Sequence, residues 1–195
     1  MLRPLATVSS VAVLLTVSAW AQDTGNPAGK TPSPQQTAPG APAPPQLNQP
    51  DLLFLRQAAI GGMAEVEIAR LVEKGSHSDA VEDFARRMVE EHTKANDRLL
   101  ALAKQADIAP PNELDGEHKA MRDKLEPMSG VEFDRAYLQG QVADHQKTAL
   151  LLEWEIGSGQ DAQLKTFAAE TLPVVLRHLR IARDIEAQMT GKAPY

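Results

Sequence analysis

Four ionisable residues interrupt the apolar stripes of otherwise aliphatic helices: Glu65, His92, His145 and His178. In the stretch QVADHQKTALLL, helical spacing aligns Leu138, Val142, His145, Ala149 and Leu152, so an imidazole occupies a leucine position. A buried, unpaired carboxylate or imidazolium is costly, and such groups are therefore paired, neutral or bound to metal. Imidazole nitrogen suits Zn, Cu, Ni and Fe, which makes Glu65, His92, His145 and His178 a candidate ligand set for one transition-metal ion. Three protein ligands with an open position would be a catalytic zinc arrangement, whereas four closed ligands would be structural. The alternative is a layer of neutral rings, each bonded to a carbonyl or carboxylate, that fixes the packing register of the helices.

Helical periodicity positions these residues. Ala58, Gly62, Glu65, Ala69 and Val72 share one face of a first helix that starts at Asp51 as N-cap and stops near Gly75, with Glu67 pointing outward. A second helix from about Ser78 carries Val81, Phe84, Met88, His92, Ala95, Leu99 and Leu102 inward and stops at Pro110-Pro111. A short helix over 113–126 ends at Pro127, and Ser129 with Glu132 forms a capping-box pattern that opens a third long helix. That helix carries His145 and breaks at Gly157-Ser158-Gly159. The last, from about Asp161 to Met189, points Leu164, Phe167, Thr171, Val174, His178, Ile181 and Ile185 inward, and Pro173 should kink it one turn before His178.

Long amphipathic helices on short turns pack antiparallel, so the fold expected is all-α: an up-down four-helix bundle over 51–190 with an extra short helix in the middle connection. With both tight turns at one end, a rise of 1.5 Å per residue puts Glu65 at roughly 17 Å, His145 at roughly 20 Å, His92 at roughly 23 Å and His178 at roughly 29 Å. Glu65, His92 and His145 then share a layer, and His178 stands a turn or more away. His77 and His118 read as solvated, and Asp134 and Tyr137 as hydrogen-bonding across one bundle end.

The chain has 195 residues, no cysteine and a net charge of -6. Thiolate metal sites, disulfides and thiol nucleophiles are therefore excluded, and the acidic balance disfavours nucleic acid. Residues 1–21 have the order of a signal peptide: Arg3, a short apolar run, then Ala19-Trp20-Ala21 before a cut. Cleavage leaves no transmembrane anchor, and the destination expected is the periplasm of a Gram-negative bacterium. Residues 22–50, rich in Pro, Ala, Gly, Thr and Gln, read as a disordered tether.

Several ordered motifs carry a resemblance: Gly61-Gly62-Met63-Ala64-Glu65, then Glu91-His92-Thr93-Lys94-Ala95-Asn96, then Phe133-Asp134-x-x-Tyr137 with Gln141-x-x-x-His145, and Leu172-Pro173 leading to His178. Over nearly all of 52–187 the sequence resembles the exported bacterial family called domain of unknown function 4142, with Glu91 where that family usually has Asp. The resemblance implies a ferritin-like bundle in the cell envelope. It does not bring a di-iron centre, because such a site needs Glu three residues before its histidines and here Val89, Val142 and Val175 stand there.

Two functions are expected from these residues. The first is a non-catalytic envelope or stress-related interaction module, with an unknown envelope protein as partner and a buried Glu/His layer as its packing pin. The second is a bundle that stores, buffers or senses one transition-metal ion. No general base or nucleophile constellation supports an enzyme.

Overall fold

A computed structural model describes residues 47–191, so the expected leader at 1–21 and nearly all of the expected tether lie outside the described residues. Within them every regular element is a helix: α1 (Gln49–Gly75), α2 (Asp79–Gln105), α3 (Gly116–Leu125), α4 (Gly130–Ser158) and α5 (Ala162–Met189). The first cap is Asn48 rather than Asp51. Asn48 Oδ1 accepts from the Asp51 amide at 2.8 Å and Asp51 Oδ2 accepts from the Asn48 amide at 2.8 Å, a reciprocal capping box with Asp51 at its third position. α2 ends before the prolines because Asp107 turns left-handed at φ 56. Ser129 precedes α4 but makes no side-chain cap bond, so the expected box with Glu132 does not close; Gly130 enters the helix at φ 62, outside the geometry a box requires.

The helix order corrects the simple up-down arrangement. Phe133 fills the space over Gly75, so the start of α4 lies beside the end of α1. At the other end Asn48 Nδ2 donates to the Ser158 carbonyl at 3.4 Å, and Asp51 Oδ1 accepts from the amides of Gln160 at 2.9 Å and Asp161 at 3.2 Å. α1 and α4 are therefore antiparallel. Tight turns make α1–α2 and α4–α5 antiparallel too, which leaves α2 and α4 parallel across a diagonal. Residues 106–129 must then carry the chain back along the whole bundle, and α3 is the helical part of that crossover. Glu67, expected to face outward, accepts from Arg122 of α3 at 2.9 Å, and Met121 packs where a side chain on Gly140 would stand.

α1 and α5 each pack on both α2 and α4. The interior divides into two aliphatic and aromatic clusters, one around Phe54, Leu99, Leu152 and Phe167, the other around Ile68, Phe84, Met88, Phe133 and Tyr137. Each such side chain contributes about 1.5–3 kcal/mol on burial, which makes these clusters the main stabilisation of the bundle. α5 runs unbroken through Pro173. Glu65, His92, His145 and His178 lie between the two clusters along the helices.

Candidate metal centre

His92 on α2, His145 on α4 and His178 on α5 meet in the interior, at 8%, 1% and 0% exposure. Their ring centroids are 5.5, 5.3 and 5.4 Å apart, nearly an equilateral triangle. One nitrogen from each ring lies within 4.8 Å of the other two. Phe84 packs edge-on against His178 with centroids 6.2 Å apart.

Proton positions follow from the partners. His145 Nδ1 is 2.9 Å from the Gln141 carbonyl, which can only accept, so Nδ1 carries the proton and Nε2 a lone pair. His178 Nε2 donates to the Glu91 carboxylate at 2.8 Å, which leaves a lone pair on Nδ1. These two lone-pair nitrogens, His145 Nε2 and His178 Nδ1, face one another at 3.4 Å. His92 Nε2 is buried without a partner.

Protonating either ring to relieve the mismatch is opposed by the surroundings. Burial, then the neighbouring His178, pushes His145 down to about 3. Burial and the two other rings hold His92 well below the usual range. Burial also lowers His178, although the Glu91 hydrogen bond works against it. Glu91 is ionised: burial would raise it, but hydrogen bonds from His178 and from Arg177 at 2.5 Å outweigh burial and hold it low. The rings are thus neutral imidazoles at neutral pH, the form that binds metal.

Distance separates the candidate occupants. A bridging water about 2.8 Å from each nitrogen would hold the two nitrogens about 4.6 Å apart at the tetrahedral angle. One ion with bonds of about 2.0–2.1 Å holds them about 3.4 Å apart. The 3.4 Å between His145 Nε2 and His178 Nδ1 is that of two ligands on one ion, while the nitrogens of all three rings lie within 4.8 Å of one another.

The family known as Domain of unknown function (DUF4142) matches residues 36–185. The chain belongs to DUF4142. No curated protein matches it. This DUF4142 fold is similar to that of a DUF305 fragment from Deinococcus radiodurans, with TM-score 0.67 and 12% identity over 74% of this chain and 99% of that one. It is also similar to a DUF305 protein from Streptomyces coelicolor named as a candidate secreted protein, with TM-score 0.64 and 14% identity over 75% and 95% of the two chains. Among the described residues of the DUF4142 chain, no helix is long and apolar enough to cross a membrane.

The structure changes the membership of the expected layer. His178 is in the cluster and Glu65 is behind it: Glu65 Oε1 lies 3.4 Å from His145 Nδ1, the nitrogen that faces away from the other rings. The heights expected from sequence assume both tight turns at one end. With the crossover they are at opposite ends, and all four residues lie about 10 to 15 residues from the α1–α2 turn end, at roughly 15 to 22 Å.

Glu91, which stands where the family usually has Asp, is the partner that fixes the His178 tautomer. A helical wheel sets it about 100° from His92 and cannot show that α5 brings a ring to its carboxylate. Its one signal was position, directly before His92 in the acid-His motif. Gly62 joins two other motif pieces: the Asn96 side chain of α2 occupies the space a side chain on Gly62 of α1 would need. His118, expected to be solvated, is held by Asp115, with Asp144 beside its other nitrogen. Asp134 and Tyr137 are buried, and among the described residues neither side chain makes the expected hydrogen bond across the bundle end; Tyr137 stacks on Phe133 with centroids 6.0 Å apart.

Proposed function

We propose that this chain is an exported helical bundle that binds one transition-metal ion at His92, His145 and His178, and that it buffers, carries or senses that ion in the periplasm. The observation that carries this reading is the 3.4 Å separation between His145 Nε2 and His178 Nδ1 with both remaining ring nitrogens engaged elsewhere. Three neutral nitrogens without thiolate favour Zn or Cu, with Ni and Fe also suited to imidazole. Glu91 supports the set from outside as a carboxylate–histidine pair, the usual means of fixing a ligand ring. Glu65 would add a second negative group behind His145. Burial and the Asp144 charge push Glu65 up to about 8, against a hydrogen bond from Gln141, so in the metal-free chain it is protonated at neutral pH. A dication nearby would favour its ionised form.

The apolar run after Arg3 supports export, as does the resemblance in fold to a chain named as a candidate secreted protein. A second reading, the interaction module with a polar packing layer, is favoured by Leu150 at 66% and Trp154 at 39% exposure one helical turn apart on α4. Elemental analysis of tag-free protein, repeated on His92→Ala, His145→Ala and His178→Ala, separates the two. The metal reading expects near one ion per wild-type chain and loss in every variant. It also expects added Zn to raise the melting temperature, by about 2.7 kcal/mol of stability at 100 times Kd. Metal-free wild type whose melting is unmoved by Zn, Cu, Ni or Fe would leave the interaction module.

A further inference from the structure

Two faces of the bundle lead toward the imidazole cluster, and they differ in charge. On the α2–α5 face His178 lies behind Glu91, whose carboxylate is held by Arg177 at 2.5 Å and lies 3.7 Å from Arg87. Those guanidiniums repel a cation approaching from outside. On the α1–α4 face, where α3 crosses, a cavity of about 210 Å³ opens. Glu65, Asp115, Glu117, His118, Asp144 and Lys147 line it, and Lys147 is already paired with Glu117. Carboxyl groups therefore dominate this face.

Glu65 forms the inner end of that cavity. It is 4% exposed, its Oε2 has no hydrogen-bond partner, and its Oε1 lies 3.4 Å from His145 Nδ1. His118 and Asp144 stand farther out, with side chains 16% and 17% exposed. His118 Nδ1 is 2.7 Å from Asp115 Oδ1, and its Nε2 faces Asp144 Oδ2 at 3.8 Å. His118 thus stands between two carboxylates, those of Asp115 and Asp144.

We propose that this α3-covered cavity is the vestibule through which a divalent metal cation reaches the imidazole cluster, held first at the Asp144 carboxylate and then by Glu65. The proposal rests on the metal reading of the cluster. A hydrated dication exchanges water for carboxylate oxygen and imidazole nitrogen as it moves inward, and it arrives at Glu65 one ring away from the lone pairs of His145 and His178. Focusing by a carboxylate-lined cleft raises the local cation concentration and the on-rate more than the final affinity, because the vestibule groups are not ligands of the bound ion.

The test is stopped-flow mixing of metal-free, full-length protein with Co2+, whose visible absorbance reports arrival in a nitrogen-rich site. Asp144→Asn with Glu117→Gln should slow Co2+ arrival about tenfold while the equilibrium affinity stays within about twofold. Glu90→Gln with Glu170→Gln, which removes equal charge from exposed positions on α2 and α5, should leave the rate unchanged. Glu117 is 67% exposed, so Glu117→Gln alone, expected to slow arrival by a smaller factor, keeps the test available if Asp144→Asn does not fold. Unchanged rates in the vestibule variants, or equal slowing in the control pair, overturn the vestibule alone. A wild-type chain that takes up no Co2+ overturns the vestibule and the metal site together.

Discussion

At the end of the bundle near the α4–α5 turn, Asp51 is fully buried, and both of its oxygens have donors: the amide of Asn48 on one, those of Gln160 and Asp161 on the other. At mid-height, His145 and His178 are equally buried, yet their free nitrogens face each other as acceptors. In the first region Asp51 is matched to backbone donors that would otherwise be stranded, so its polarity holds the fold together. The second has polarity that the chain itself leaves unmatched.

Equivalent substitutions in the two regions should therefore act with opposite sign. The largest effect is expected for Asp51→Leu, which strands three backbone amides and should cost about 3 kcal/mol or more in denaturant unfolding. A loss below about 1 kcal/mol would remove the contrast. His145→Leu should leave the metal-free chain unchanged or about 1 kcal/mol more stable, because it replaces an unmatched acceptor with apolar volume, while abolishing metal retention. If it destabilised the metal-free chain as strongly as Asp51→Leu, the layer would be a packing pin.

Glu91→Gln sharpens the comparison from outside the cluster. It should lower metal affinity by about 10- to 100-fold, read by competition with a chelator, with little change in metal-free stability. The smallest effect expected is on pH dependence. Burial, then the charge of Asp51, pushes Glu155 up to about 7 from 4.5. Between these values the folded chain keeps a proton that the unfolded chain has released. Stability should therefore fall as pH rises through that window and level off above about 7, and Glu155→Gln should flatten the decline by about 1 kcal/mol. Glu65 adds a similar slope extending to about 8, so the comparison is between wild type and the Glu155 variant.

Much of this arrangement was legible in the sequence because it depends on helical period. The inward positions of Glu65, His92, His145 and His178 follow from apolar spacing, and all four are buried. What spacing along one helix cannot give is the direction of its neighbour. The 24 residues between α2 and α4 are compatible with a turn or with a crossover, and that choice alone moves His178 from a turn away into the cluster. Glu91 escaped for a related reason: its importance comes from α5, not from its own helix. Asn48 and Asp51 are equally good cap residues by type, and only the reciprocal bond distinguishes their roles.

The crossover also governs when the three imidazoles can come together. They are split between the hairpin before α3 and the hairpin after it, so neither half assembled alone presents all three. An unfolded chain threading through a translocation channel would travel empty. If the chain is exported and binds metal as proposed above, capture would begin only after both hairpins have docked at the destination, which would tie loading to arrival.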